Sequence, residues 1–163
     1  MKAKPLEKND EKIFLSMCKD FYSSNATARK YDAKIAKRTF DYYMGKHENV
    51  MGYLLEDGET GAVIGYSLIS SYWCNEDGGN IVVLDELYIS PKFRHKGYAH
   101  MFLKWMQEEF ANKGVFINLE VNNTNIEAKQ LYSSMGFEHD AFTRDGFEVL
   151  VKTLAPIAEE KKA

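Results

Sequence analysis

The sequence predicts one α/β domain over residues 1–154: a mixed, mostly antiparallel sheet of about seven strands flanked by about four helices, with a charged flexible tail at 155–163. Three observations carry this expectation. Apolar patterns of strand and helix period succeed one another in the order βααβββαβαββ. Residues 80–121 read as strand, helix, strand, which implies a parallel central pair joined by a right-handed crossover. Glycine-bearing links at Glu56–Gly61 and Arg144-Asp145-Gly146 suit tight antiparallel reversals.

Taken in order, residues 2–7 form a short first strand that Pro5 interrupts. From Asp10, the spacing of Ile13, Phe14, Met17, Cys18 and Phe21 gives one apolar helical face, and after a polar break at 23–28 a second helix, Asp32 to Met44, places Ile35, Ala36, Thr39, Phe40 and Tyr43 on one side. Val50–Leu55 and Ala62–Tyr72 read as strands, and Trp73–Gly79 as a loop. Ile81–Ile89 is rich in β-branched and aliphatic residues and stops near Ser90, because Pro91 has no N–H for the ladder. Ala99, Phe102, Leu103, Met106 and Phe110 recur at helical spacing, with Gly114 placed to end that helix. Val115–Val121 alternates as a strand whose partner is Ile81–Ile89. Asn125–Met135 is a shorter helix, capped by Thr124 or Asn125 and closed by Gly136, and Phe137–Thr143 and Phe147–Thr153 form the last hairpin.

Composition removes several function classes. A chain of 163 residues with 45% hydrophobic residues buries a core for one domain and leaves two cramped. No apolar run approaches the roughly 20 residues that cross a bilayer. The opening MKAKPLEKND lacks the apolar stretch of a secretory signal, so a cytoplasmic, non-membrane protein is expected. A net charge of −3 disfavours a nucleic-acid binder. Cys18 and Cys74 give neither a disulfide framework nor metal-ligand spacing; Cys18 falls on an apolar helical face and Cys74 in a loop.

The chemistry concentrates between the strand ending at Ser90 and the helix that follows. A loop entering a helix leaves N–H groups unpaired, and the helix dipole favours an anion there. Arg94, His95 and Lys96 add three basic side chains, and Gly97 permits a backbone geometry barred to other residues, so the turn suits a pyrophosphate.

Arg94-His95-Lys96-Gly97-Tyr98-Ala99 after Leu87-Tyr88-Ile89-Ser90-Pro91 resembles the GNAT acetyltransferase superfamily, whose signature is Gln/Arg-x-x-Gly-x-Gly/Ala. A second segment, Val121 to Asn125 followed by Ala128, Leu131, Tyr132, Gly136 and Phe137, resembles the family's other coenzyme-contacting stretch. Together they cover about residues 80 to 138, and His95 stands where the family often has glycine. The resemblance implies a GNAT-type sheet whose parallel central pair splays. It also implies acetyl-CoA as co-substrate, an amine acceptor, no metal and a possible homodimer.

Moving an acetyl group from a thioester to an amine requires a grip on the coenzyme, an oxyanion donor, a base for the amine and a donor toward the departing sulfur. By resemblance, Arg94, His95, Lys96, Gly97, Tyr98 and Ala99 hold the pyrophosphate, and Leu87, Tyr88 and Ile89 meet the pantetheine arm and supply the oxyanion amide. Asn125 and Ala128 contact or make room for that arm, and Tyr132 donates a proton to the coenzyme sulfur. Asp85 and Glu86 interrupt an apolar strand, and alternation sends them to opposite faces unless a bulge intervenes. Asp85 matches the position, four before Ile89, that often carries the family's base; Glu86 is its neighbour, and the choice stays open.

Tyr22, Tyr31 and Tyr43 are acceptor contacts by resemblance. With Glu76 and Asp77, the acids favour a cationic acceptor: a polyamine, an aminoglycoside-like amine, an amino acid or a lysine side chain. Peptide acetylation and a coenzyme-binding regulatory module without catalysis are the alternatives. The glycine patterns of dinucleotide and phosphate-loop sites are missing.

Overall fold

The computed structural model describes residues 1–45, 47–144 and 146–154; Asp145 of the expected Asp-Gly turn and the charged tail at 155–163 lie outside them. The strands are β1 (Lys2–Pro5), β2 (Val50–Glu56), β3 (Val63–Cys74), β4 (Gly79–Ile89), β5 (Phe116–Asn122), β6 (Glu138–Arg144) and β7 (Phe147–Thr153). The helices are α1 (Glu11–Phe21), α2 (Ala33–Tyr43), α3 (Tyr98–Phe110) and α4 (Ile126–Ser134). The strands form one sheet in the order β1-β2-β3-β4-β5-β7-β6, antiparallel except at β4·β5, as expected. Pro5 is tolerated because β1 is an edge strand that pairs only with β2.

Each sheet face has its own helix pair. Phe102, Leu103, Met106 and Phe110 of α3 pack on Leu55, Ile69, Val82, Leu84, Ile117 and Leu119, with Leu131 and Tyr132 of α4 at the margin. On the other face Phe14, Met17, Cys18 and Phe21 of α1 and Ala36 and Phe40 of α2 cover Leu54, Tyr66, Leu68 and Tyr88. Ile13 and Ile35, expected on those helical faces, are 38% and 58% exposed. Asp32 starts α2 by accepting from the N–H groups of Lys34 and Ile35. The β3–β4 hairpin is longer than expected: Trp73 pairs with Asn80 and Cys74 with Gly79, and Gly78, at φ 63°, closes the turn.

Two irregularities shape the rest. β4 pairs with β5 only from Ile81 to Leu84; beyond that, β4 continues along β3 alone and β5 along β7 alone. The parallel pair therefore splays, as the resemblance implied. Second, Glu86 lies opposite Leu68 and Leu84 opposite Ile69, so Asp85 is the extra residue of a β-bulge. Buried Ser67 donates its hydroxyl to the Glu86 carbonyl at 2.9 Å, satisfying main chain beside the bulge. The extra residue resets alternation, and Asp85 and Glu86 both face α1 and α2.

Gly65 lets β3 approach β4 here, since a Cβ on it would stand 2.0 Å from the Tyr88 carbonyl oxygen. Replacing Gly65 by alanine is expected to push the strands apart and cost about 1–3 kcal/mol. A fall of several degrees in Tm checks this; an unchanged melt would mean that the approach relaxes freely.

Candidate active site

The splay opens a groove of about 340 Å³ between the end of β4, the start of α3 and the inner face of α4. Along β4 it is lined by Leu87, Tyr88 and Ile89. The Ser90 N–H donates to Ile64 of β3 at 2.8 Å, so by alternation Ile89 and Leu87 turn their main-chain groups away from β3 and into the gap. The Ile89 carbonyl accepts from Arg94 Nε at 3.0 Å. Tyr88 is different: its ring enters the α1 core and its hydroxyl donates to Asp20 at 3.2 Å.

At the turn, Arg94, His95, Gly97, Tyr98 and Ala99 border the groove. Gly97 is the N-cap of α3 at φ 81°, with no side chain covering the helix start. The first helical N–H groups are thereby left for a ligand. His95 also has positive φ, 58°, a conformation that glycine adopts without strain. Its Nδ1 lies 3.3 Å from Glu127 at the start of α4. Lys96 stands over the Phe93 ring, 5.5 Å from its centre. Tyr98 is tied to Asp57 by a hydrogen bond, which with the Thr60 and Glu59 contacts holds that carboxyl well below the usual range.

Asn125 and Ala128 form the α4 wall. The Asn125 side-chain oxygen caps α4, accepting from Ala128 N–H at 3.2 Å. Tyr132 is half-buried beside Phe137, and no hydrogen bond engages its hydroxyl among the described residues. Burial pushes the phenol up to about 12, so it keeps its proton at neutral pH.

The acids lie across β4 from the groove. Glu86 is half-buried, and its two carboxylate oxygens accept from Tyr22 at 2.5 Å and Tyr66 at 2.7 Å. Burial raises its carboxyl above the ordinary glutamate range; the two phenols oppose the rise, and nearby Asp85 adds to it. Asp85 is more exposed and accepts from Tyr43 at 3.2 Å. Its carboxyl is also raised, chiefly by desolvation, with Ser70 and Tyr43 opposing. Glu86, not Asp85, lines a second cavity of about 30 Å³ with Tyr22, Tyr31 and Thr39. Glu76 and Asp77 occupy the hairpin tip at the opposite end of β4 and take no part in either cavity.

Residues 14–137 match the acetyltransferase (GNAT) family model. The chain belongs to that family. Among solved structures it is similar to an acetyltransferase from Thermus thermophilus, at TM-score 0.76 and 13% identity, covering 94% of this chain and 96% of that one. A ribosomal-protein-alanine N-acetyltransferase from Brucella melitensis has TM-score 0.71 and 16% identity, over 94% and 100% of the chains. A spermidine N-acetyltransferase from Vibrio cholerae, in complex with CoA and spermine, has TM-score 0.72 and 14% identity, over 93% and 94%. These likenesses establish the GNAT fold. No curated protein sequence matches.

Sequence reasoning left out part of this GNAT site. Phe21, Ser24, Asn25 and Ala26 form the wall opposite α4, contributed by the end of α1 and the segment after it. In the sequence Tyr66 reads as one more residue of a strand. Its signal was present, since a tyrosine in a buried strand must find a partner for its hydroxyl. Among the described residues no group of three His, Cys, Asp or Glu side chains is placed to hold a metal ion, and no helix is long and apolar enough to cross a membrane.

Proposed function

We propose that this GNAT protein is an acetyl-CoA-dependent N-acetyltransferase, moving the acetyl group directly to a primary amine in a ternary complex. The observation that carries the reading is the run of main-chain groups that β4 turns into the gap at Leu87 and Ile89, continuous with the uncapped start of α3. Its shape fits a thioester arm ending in a pyrophosphate: polar main chain along the arm, a helix N-terminus at the anion, and Ala99 and Ala128 where bulk would obstruct.

On this reading Glu86 removes a proton from the acceptor ammonium, and the freed nitrogen lone pair attacks the thioester carbonyl. Leu87 or Ile89 N–H receives the oxyanion; then the C–S bond breaks with its electrons going to sulfur, and the second proton of the attacking nitrogen passes to that sulfur, leaving a neutral amide and a thiol. Tyr132 hydrogen-bonds the departing thiolate. Burial raises the phenol, so proton transfer from it to the thiolate is uphill and the hydrogen bond itself is the useful interaction. The resemblance matches Asp85 to the base position and leaves the choice open; Glu86, held at both oxygens, is better placed to keep a fixed geometry.

The acid pair supports a cationic acceptor. A small amine such as a polyamine, the kind of ligand bound by the Vibrio cholerae neighbour, is the first choice. A thiol-release assay with acetyl-CoA over polyamines, aminoglycosides, amino acids and peptides tests the function. Tyr132→Phe should lower turnover about 10- to 100-fold, the loss of one hydrogen bond to a charged atom, with acetyl-CoA affinity nearly unchanged. Absence of acetyl-CoA binding by calorimetry would sink the reading; an unaltered rate in Tyr132→Phe would remove that residue's role.

A further inference from the structure

Resting on the acetyltransferase reading above, we infer that Tyr66 is a positioning residue for Glu86. It is a phenol sealed beneath α1 that fixes one carboxylate oxygen, so that the other, met by the half-exposed Tyr22, is presented to the acceptor amine.

The two phenols are unequal. Tyr66 is 0% exposed, and its ring is hemmed by Phe14, Phe21 and Tyr88 at centroid distances of 5.0, 6.3 and 5.7 Å. Its hydroxyl therefore stays where Glu86 Oε2 accepts it at 2.7 Å. The nearest competing group is Cys18, whose sulfur is 3.6 Å away. Burial pushes that thiol up to about 12, so it stays neutral. Tyr22 instead follows the last turn of α1, borders the small cavity beside Glu86, and leads into the segment that walls the coenzyme groove. That cavity has room for about one water.

An arriving ammonium can therefore take the place of the Tyr22 hydroxyl at Oε1 while Tyr66 prevents the carboxylate from swinging. In the proton step an N–H bond breaks and an O–H bond forms at Oε1, leaving the lone pair on nitrogen. Tyr66 remains a donor to Oε2 throughout. The other ionisable groups facing Glu86 are Asp85 on β4, held by Tyr43 of α2, and Lys30, Tyr31 and Asp32 ahead of α2; Arg29 acts on Tyr22.

The test titrates the Glu86 carboxyl in the resting protein by carbon-13 NMR and measures the acid limb of turnover in parallel. Tyr66→Phe should move both upward by about one to two pH units, because a dry hydrogen bond to the charged form is lost. Tyr22→Phe should move them by less than about one unit, since water reaches Oε1. Phe40→Leu, which disturbs the same core through Phe14 rather than through Tyr66 or Glu86, should lower Tm and move neither.

An unshifted Glu86 titration in Tyr66→Phe, or an equal shift in Phe40→Leu, overturns the inference. Should Tyr66→Phe fail to fold, Tyr22→Phe decides: a shift under about one unit supports the buried clamp, and a larger one overturns it. Wild-type protein that releases no thiol with any amine, yet shows the NMR shift, would defeat the acetyltransferase reading and leave the Tyr66 contact standing.

Discussion

Glu86→Gln is expected to lower turnover by about 10² to 10⁴, the contribution of a positioned general base. The wild-type rate should rise with pH as Glu86 loses its proton, over a range displaced above the ordinary glutamate value because burial raises that carboxyl. The glutamine variant should show no such limb. Asp85→Asn, at the more exposed carboxylate, should lower the rate less and keep the limb. The reverse order of effects would transfer the base to Asp85.

Stability runs the other way. An acid whose folded value is raised stabilises the fold fully below its unfolded value, and that contribution is lost as pH rises through the folded one. Wild-type Tm should therefore fall from the ordinary glutamate range upward. Glu86→Gln should flatten part of the fall, the remainder belonging to Asp85, whose carboxyl is raised in the same direction. Lower activity with equal or higher Tm at neutral pH would separate a lost base from a damaged fold.

Gly97→Val should weaken acetyl-CoA binding by at least about tenfold, or about 1.4 kcal/mol. Gly97 sits at φ 81°, where a side chain costs about 1–2 kcal/mol, and a β-branched one is a strong outlier. A Cβ there meets nothing within 4 Å, so the free protein suffers backbone strain without crowding. Two outcomes are then separable. If the backbone holds, valine projects into the space where the pyrophosphate is proposed to lie; if it relaxes to negative φ, the first N–H groups of α3 lose their aim. Calorimetry with acetyl-CoA beside a thermal melt distinguishes either from simple destabilisation. Unchanged affinity with a lowered Tm would show that the anion site lies elsewhere.

The strand, turn and helix from Gly79 to Phe110 were legible because each is a local pattern: aliphatic density, a proline stop, a glycine before a helical apolar repeat. Asn125 was legible as a cap for the same reason. The splay was legible only by resemblance. Nothing in Ile81 to Ile89 marks Leu84 as the last residue paired with β5, because ladder partners belong to the register between distant segments. The placement of Asp85 and Glu86 was beyond reach for a related reason. Two-residue alternation separates them, and only the pairing with β3 shows that one residue is supernumerary. The Tyr22 and Tyr66 contacts to Glu86 bridge 64 and 20 positions of chain, distances over which sequence spacing carries no information.

That supernumerary residue is what sets two carboxylates side by side on one face. To either side of it Leu84 packs under α3 and Glu86 meets Tyr22 and Tyr66, so point substitutions at Asp85 leave Glu86 facing the two helices. Deleting Asp85 would make Leu84 and Glu86 neighbours in a regular ladder, each keeping its face, and would strip the second acid from that side. The extra link thus governs how densely charge is crowded there and leaves the aim of the glutamate alone.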